Sequence, residues 1–204
     1  MVCGAAARVM PTLSEPVAVV KAVFEACIGI HERMRAMDLQ PVADAAAAIL
    51  DASRAGGKVL LFGNGGSAAD AQHMAADLVG RFQRERRPVA ALALTTDTSV
   101  VTAVANDYTF DRVFVRQIEA LGNRGDIAFG ITTSGRSANV VAGLRAASAR
   151  GLRTIAMTGR DGGTVGGEVA IHINVPDSST ARVQEAHRTL IHAICELVER
   201  ELCW

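Results

Sequence analysis

The sequence predicts an α/β fold, a three-layer sandwich of about five parallel strands with extra helices at the N-terminus. Short apolar runs rich in strand-forming residues recur along the chain, at 58–63, 89–94, 127–132, 154–159 and 169–174. Helical patterns lie between most of these runs and after the last one, at 67–83, 111–121, 138–150 and 180–202. Strands that alternate with helices form a parallel sheet covered on both faces. Ligands of such sheets bind beyond the carboxyl ends of the strands, so the loops after residues 63, 94, 132 and 159 are the candidate site.

The segment before the first strand is predicted to be helical from about residue 15 to residue 53, and Pro41 divides it into two helices. These helices have no sheet face of their own, so we expect a second subunit to cover their apolar stripes in a homo-oligomer. The sequence thus divides into a helical extension, 1–54, and an α/β domain, 55–204.

The composition excludes several classes of protein. The 204 residues include 21 Lys and Arg and 21 Asp and Glu, so the net charge is zero and attracts neither nucleic acid nor an anionic membrane. The first ten residues lack the features of a signal peptide, and no apolar run is long enough to span a membrane. Without a CxxC motif, the four cysteines are expected to be reduced and mostly buried: Cys3, Cys27, Cys195 and Cys203. We therefore expect a cytoplasmic protein.

The loop after the first strand reads GNGGS (63–67) and leads into a helix. Glycines allow a backbone to approach a ligand closely, and a helix start offers free N–H groups. Ser67 with Asp70 three residues later fits a helix-capping pattern. The alternative is a tight strand-to-helix turn with no ligand, and this loop alone does not decide between the two.

The loop after the third strand reads TTSGRS (132–137) and also precedes a helix. Its four hydroxyl groups, together with the N–H groups of the helix start, suit a phosphate. The loop lacks the Lys of a Walker A motif, which argues against nucleoside triphosphate chemistry. The alternative is a hydroxyl-rich turn in which Ser137 caps the helix, but the position at the sheet edge favours a binding role.

Two helices carry further candidate residues. His73 and Asp77 are four residues apart and so share one helix face. At 100° per residue, Gln184 and His192 project about 80° apart, whereas His187 and His192 project about 140° apart. Gln184 and His192 can therefore serve one compact site, which His187 cannot easily join. The alternative for His192, which lies in an apolar stretch, is a hydrogen-bonded core histidine.

Together these motifs resemble a known family, the bacterial phosphoheptose isomerases of the sugar isomerase (SIS) domain superfamily. The resemblance extends from about Val59 to Glu199 and rests on four segments in this order: GNGGSAADAQHMAADLVGRF, LTTDTSVVTAVANDY, ITTSGRSANV and ARVQEAHRTLIHAICELVE. It implies a flavodoxin-like SIS domain, a phosphorylated heptose as substrate, and a homotetramer with active sites between subunits.

The resemblance also implies site residues. Substrate-binding positions are Asn64, Gly65, Gly66, Ser67, Asp97, Thr132, Thr133, Ser134, Ser137 and Gln184. Several members of the family bind zinc, one ion per subunit, at positions that match His73, Asp77, Gln184 and His192. The family's acid/base pair maps onto Asp77 and His192. Two positions depart from the family: Asp77 stands where Glu is usual, and Arg136 stands where Asn is more common.

The implied activity is the interconversion of sedoheptulose 7-phosphate and an aldoheptose 7-phosphate through an enediol, with the D-glycero-D-manno product favoured. One alternative is an isomerase that gives the C2-epimeric heptose, since nothing in the sequence decides the face of reprotonation. Another is a non-catalytic SIS tetramer that binds the replication initiator DnaA, although His192 and the carboxylate of Asp77 favour an enzyme. A sugar-phosphate-sensing module is a third, but no DNA-binding segment fits in this length.

Overall fold

The computed structural model describes residues 16–202 and contains a five-stranded parallel sheet. The strands are β1 (Val59–Gly63), β2 (Ala91–Ala93), β3 (Ile127–Thr132), β4 (Arg153–Gly159) and β5 (Ile171–Val175). Their spatial order is β2-β1-β3-β4-β5, and every neighbouring pair is parallel. This is the flavodoxin-like order, which confirms the predicted fold class.

The helices form the two outer layers of the sandwich. They are α1 (Pro16–Arg35), α2 (Gln40–Arg54), α3 (Gly66–Val79), α4 (Thr98–Asp107), α5 (Val113–Leu121), α6 (Ala138–Ala149) and α7 (Thr180–Leu202). The buried side chains of α2, α3 and α7 form one apolar core with one face of the sheet, and those of α5 and α6 form a second core with the other face. Every residue of β1 and β3 is buried, because both faces of these strands are covered.

Three elements differ from the sequence prediction. Helix α4 was not expected, since its β-branched residues obscure the helical pattern; Asp97 caps it by accepting the N–H of Val100 at 3.0 Å. Helix α3 ends at Val79 rather than at residue 83. Strand β2 has only three residues, since it lies at the sheet edge and is partly exposed.

The two N-terminal helices pack differently from each other. Helix α2 packs on the sheet and on α7, and Ala45 and Ile49 are completely buried, so α2 does not lie outside the α/β unit as we expected. Helix α1 packs against α7, yet exposes large apolar side chains such as Val17 and Phe24. That residues 1–54 pack in an oligomer stays a prediction.

Among the described residues, Cys195 is buried and Cys27 is half-buried, and both are free thiols. Burial raises the pKa of Cys195 to about 12, so this thiol stays protonated. Cys3 and Cys203 lie outside the described residues, as do the first ten residues in which no signal peptide was found. From residue 16 to residue 202, no helix is both long enough and apolar enough to cross a bilayer.

Candidate active site

Helix α3 begins directly beyond the carboxyl end of β1 and packs against α7. The contact is close at Gly66, the first residue of α3: a Cβ atom there would overlap the side-chain amide of Gln184 on α7. Only glycine leaves this space, and this is one physical reason for the glycines of the loop. Gly66 and Gln184 line a cleft of about 530 Å³ together with Asp70 and Arg188.

Deeper between the two helices, three side chains converge. One donor atom each from His73, Asp77 and His192 lies within 4.8 Å of the other two. The Nε2 atoms of the two histidines are 3.0 Å apart, and Oδ2 of Asp77 is 3.2 Å from Nε2 of His73. Oδ2 is nevertheless buried, and no described residue forms a hydrogen bond of good geometry with it. The structure therefore brings together three of the four residues that the resemblance implies as metal ligands, whereas the fourth, Gln184, lines the cleft beside Gly66.

The other histidine of α7 faces away from this cluster. His187 is completely buried, and its Nε2 lies 2.9 Å from the carbonyl oxygen of Thr158 on β4. Desolvation lowers the pKa of His187, so the ring is neutral. His187 thus stays out of the cluster, as its angle to His192 predicts, and it is a core histidine, whereas His192 is half-buried.

Arg188 is a functional candidate that sequence reasoning missed. Its Nε and Nη2 donate to Oδ1 of Asp70 at 2.9 and 2.6 Å, and its Nη1 lies 2.8 Å from Nδ1 of His73. Asp70 is almost completely buried. The signal in the sequence was the i, i+4 spacing of Arg188 and His192, which places both on one face of α7.

A buried ion pair behind the cluster was also missed. Glu199 on α7 accepts the backbone N–H groups of Phe82 and Gln83, each at 3.0 Å, and its Oε1 lies 3.9 Å from Nε of Arg86. Arg86 donates to the carbonyl oxygens at the end of α3, including that of Asp77, and this explains why α3 ends early. The ring of Phe82 packs on His192 with the centroids 5.3 Å apart. Glu199 therefore holds the backbone of Phe82, whose ring packs against His192.

The hydroxyl loop after β3 is folded as a tight turn. Oγ1 of Thr132 lies 3.0 Å from Oγ of Ser137 and 3.4 Å from Oγ of Ser134, which also accepts the N–H of Arg136 at 3.1 Å. Gly135 has a φ of +64° and touches the backbone of Gly162, so no side chain fits there. Ser137 makes no side-chain cap to α6, so the alternative role of a helix cap is not observed.

Arg136 neither extends freely into water nor points at the hydroxyl groups. Its Nη1 and Nη2 donate to the two carboxylate oxygens of Asp161, at 2.9 and 2.7 Å. This exposed pair ties the hydroxyl loop to the loop after β4. The guanidinium beside Asp161 is also the main reason why the pKa of that carboxyl is well below its usual range.

Asn64 and Asp97, the expected sugar contacts, lie in separate places in this chain. Asn64 and Asn139 form two reciprocal amide hydrogen bonds of 2.8 and 2.9 Å, and Asn64 and Gly65 line a hollow of about 150 Å³. Asp97 lines a different groove of about 450 Å³ and uses its carboxylate to cap α4. Ser67 is buried inside α3. The chain thus brings together His73, Asp77 and His192 but does not bring the expected sugar contacts into one pocket.

The chain is similar in sequence and in fold to known proteins. The SIS domain family model matches residues 24–159. A phosphoheptose isomerase of Aquifex aeolicus is 53% identical over 184 residues, which cover 90% of this chain and 96% of that relative. The solved phosphoheptose isomerase of Neisseria gonorrhoeae is 44% identical with a TM-score of 0.86, and the match covers 91% of this chain and 100% of that one. The phosphoheptose isomerase of Francisella tularensis is 35% identical with a TM-score of 0.87, over 91% and 99% of the two chains.

The parallel sheet with helices on both faces is that of a SIS domain protein, a class built around a flavodoxin-like sheet. Within that class, the chain belongs to the phosphoheptose isomerase family of enzymes. The resemblance seen in the sequence is therefore confirmed at the level of fold and family.

Proposed function

We propose that this sugar-phosphate isomerase interconverts sedoheptulose 7-phosphate and an aldoheptose 7-phosphate, with D-glycero-D-manno-heptose 7-phosphate as the favoured product. The observation that carries the proposal is the convergence of His73, Asp77 and His192 between α3 and α7. We choose a heptose phosphate as the substrate because highly similar relatives are phosphoheptose isomerases.

The chemistry requires a base and a shuttle for protons. Ketose–aldose interconversion removes a proton from the carbon next to the carbonyl and returns one to the neighbouring carbon, by way of an enediol. One group moves the carbon-bound proton and a second moves protons at the oxygens. We assign these two tasks to Asp77 and His192, without fixing which group does which. Both side chains are only partly exposed, which limits water at the reacting carbons.

The donor set of this cluster also fits zinc. Zinc prefers imidazole nitrogen and carboxylate oxygen in a tetrahedral site, and the cluster offers two imidazoles and one carboxylate. The unbonded, buried Oδ2 of Asp77 is an atom that a cation would satisfy. We propose His73, Asp77 and His192 as zinc ligands, with Gln184 as the fourth, for one ion per subunit. Zinc would polarise the substrate carbonyl.

The phosphate of the substrate is assigned to the loop after β3. Thr132, Thr133, Ser134 and Ser137 place hydroxyl groups at the N-terminus of α6, where the free N–H groups and the helix dipole favour an anion. The side chain of Ser137 is not used as a helix cap, and its Oγ contacts Oγ1 of Thr132 at 3.0 Å, a hydrogen bond that a phosphate oxygen can replace. We also propose sugar contacts from Asn64, Gly65, Gly66, Ser67, Asp97 and Gln184.

We infer that the active protein is a cytoplasmic homotetramer with sites completed between subunits. Helix α1 supports this proposal, because Val17, Val20, Phe24 and Ile28 are each more than half exposed and recur at helical spacing. A second subunit would cover this apolar surface and bring further residues to the open cleft. Light scattering coupled to size exclusion tests the assembly, and a monomer at working concentration would contradict it.

The direct test is to incubate the full chain with sedoheptulose 7-phosphate, with and without added zinc, and to follow the sugar by NMR. We expect signals of an aldoheptose 7-phosphate, at a rate that rises with zinc. The configuration at C2 of the product separates the manno epimer from its alternative in the same spectrum. Pull-down of the replication initiator DnaA by a folded, inactive protein would instead favour the non-catalytic alternative.

A further inference from the structure

Arg188 makes contact with a proposed zinc ligand in a way that opposes metal binding. The residue lies one turn before His192 on α7, and its guanidinium contacts both Asp70 and His73 on α3. The carboxylate of Asp70 is almost completely buried, whereas the Arg188 side chain is 41% exposed in the cleft. The guanidinium is therefore anchored at one end, and open space lies beside it.

These contacts fix the positions of the imidazole hydrogens. A guanidinium has only donors and does not give up its protons in a folded protein. Nδ1 of His73 must therefore accept from Arg188 at 2.8 Å, so a neutral His73 carries its hydrogen on Nε2. That hydrogen is donated to Nε2 of His192, 3.0 Å away. Donation runs in one direction from Arg188 through His73 to His192, and Oδ2 of Asp77 receives no hydrogen bond from residues 16–202.

A metal ion in the cluster requires the opposite arrangement. A histidine ligand offers a lone pair to the metal and donates its other ring N–H to a carboxylate, a carbonyl or water. While Arg188 is in place, Nε2 of His73 is occupied by a hydrogen, and the lone pair of His192 Nε2 accepts that hydrogen. The Arg188–His73 hydrogen bond and metal ligation by Nε2 of His73 therefore exclude each other.

We propose that Arg188 controls metal occupancy of this cluster: its guanidinium closes the site while bonded to His73 and opens it by moving into the cleft of about 530 Å³. This inference rests on the zinc site of the proposed function. The chain binds zinc more weakly than the same site without the Arg188 donor. Since partners of metal ligands typically change metal affinity by about 10- to 100-fold, we expect a difference of at least about tenfold.

The first test compares zinc affinity in Arg188→Gln and wild type, starting from metal-free protein and using a chromophoric chelator as competitor. Glutamine removes the obligatory donor, and its amide oxygen can accept an N–H from His73. The matched control is Arg200→Gln, since Arg200 lies on the same helix and, among residues 16–202, pairs only with Glu196 on the surface. We expect tighter binding in Arg188→Gln by about tenfold or more, and wild-type affinity in the control. Equal or weaker affinity in Arg188→Gln, or zinc binding by neither protein, would overturn the proposal.

Loss of Arg188 leaves the buried carboxylate of Asp70 unpaired, and this can prevent folding. If Arg188→Gln does not fold, the zinc affinity of the double variant Asp70→Asn, Arg188→Gln is compared with that of Asp70→Asn alone. The same difference of about tenfold in zinc affinity is expected.

The second test is the ¹⁵N NMR spectrum of the histidine rings in metal-free wild type. An unprotonated Nδ1 in His73 supports the proposal, and a protonated one overturns it. Neither test uses a sugar phosphate, so absence of isomerase activity would refute the proposed reaction and leave this inference standing.

Discussion

Replacing Glu199 by glutamine tests whether the buried ion pair behind the cluster supports the site. The Glu199 carboxylate accepts the N–H groups of Phe82 and Gln83 at 3.0 Å and lies 3.9 Å from the guanidinium of Arg86. Glutamine preserves the shape of the side chain but removes its charge. Its amide NH₂ group takes the place of Oε2 and faces the N–H of Gln83, which loses one of its two acceptor oxygens.

The structure allows an estimate of the loss in stability. Hydrogen bonds to charged groups contribute about 1.5–3 kcal/mol, and removing one partner of a buried ion pair costs about 3–5 kcal/mol. Arg86 keeps its hydrogen bonds to the carbonyl oxygens of Leu78, Gly80 and Arg87, which moderates the second effect. We therefore expect a loss of about 3 kcal/mol in the free energy of unfolding. For a chain of this size that corresponds to a decrease in Tm of roughly 6–12 °C.

The effect should depend on pH in a defined direction. Burial alone would raise the pKa of Glu199, but the backbone N–H groups of residues 82–84 and the charge of Arg86 together lower it from 4.5. A carboxyl with a lowered pKa in the folded state contributes stability above its unfolded value and loses it as the pH falls through the folded value. The difference between wild type and Glu199→Gln is thus largest at neutral pH and shrinks below about pH 4.5.

The assay is thermal and denaturant unfolding of both proteins across this pH range, at one fixed protein concentration because an oligomer links stability to concentration. Glu196→Gln is the matched control, since Glu196 lies on the same helix and, within the described part of the chain, makes only an exposed pair with Arg200, worth about 0.3–0.5 kcal/mol. If Glu199→Gln lost no more stability than Glu196→Gln at neutral pH, the ion pair would not hold the end of α3.

Three further variants test single parts of the site. Asp77→Glu is expected to retain or raise turnover, since the family usually has Glu there; a folded but inactive Glu variant would mean that this site is fitted to the shorter acid. Gly66→Ala should lower kcat/KM by displacing the Gln184 side chain, with little change in Tm. The control Gly167→Ala, whose new methyl group meets open space, should leave kcat/KM and Tm unchanged. Equal activity of the two variants would exclude a role for the contact between Gly66 and Gln184. Ser137→Ala should raise KM for the sugar phosphate about tenfold at similar kcat, because one hydrogen bond to a charged group is lost; an unchanged KM would remove Ser137 from the phosphate site.

Much of the fold follows from local patterns in the sequence. Five apolar runs predicted the five strands of the described residues, and the signal is clearest in β1, β3 and β4, whose residues are almost all buried and must therefore be continuously apolar. Helix α4 was missed for a physical reason: its Val- and Thr-rich sequence has low helix propensity, and the helix depends on the Asp97 cap and on packing near α5. Propensity reports only local preference, and tertiary contacts override it here.

The candidate site was predictable where helix geometry alone decides. Spacing of four residues placed His73 and Asp77 on one face, and the angle along α7 separated His192 from His187. Arg188 and Glu199 were not found, because charged side chains normally face water, and the i, i+4 spacing of Arg188 and His192 does not show that Arg188 contacts α3. Their partners lie on α3 and just after it, more than a hundred residues away. Such contacts depend on how the two helices meet, which spacing along one helix does not contain.

The most direct test of this account is the turnover of sedoheptulose 7-phosphate by His192→Ala, measured beside wild type with circular dichroism and Tm as checks of folding. A proton-transfer residue typically contributes about 10²- to 10⁴-fold to rate, so we expect the variant to be folded and its turnover to fall by at least a hundredfold. Folded His192→Ala protein that isomerises the sugar phosphate at the wild-type rate would contradict the account.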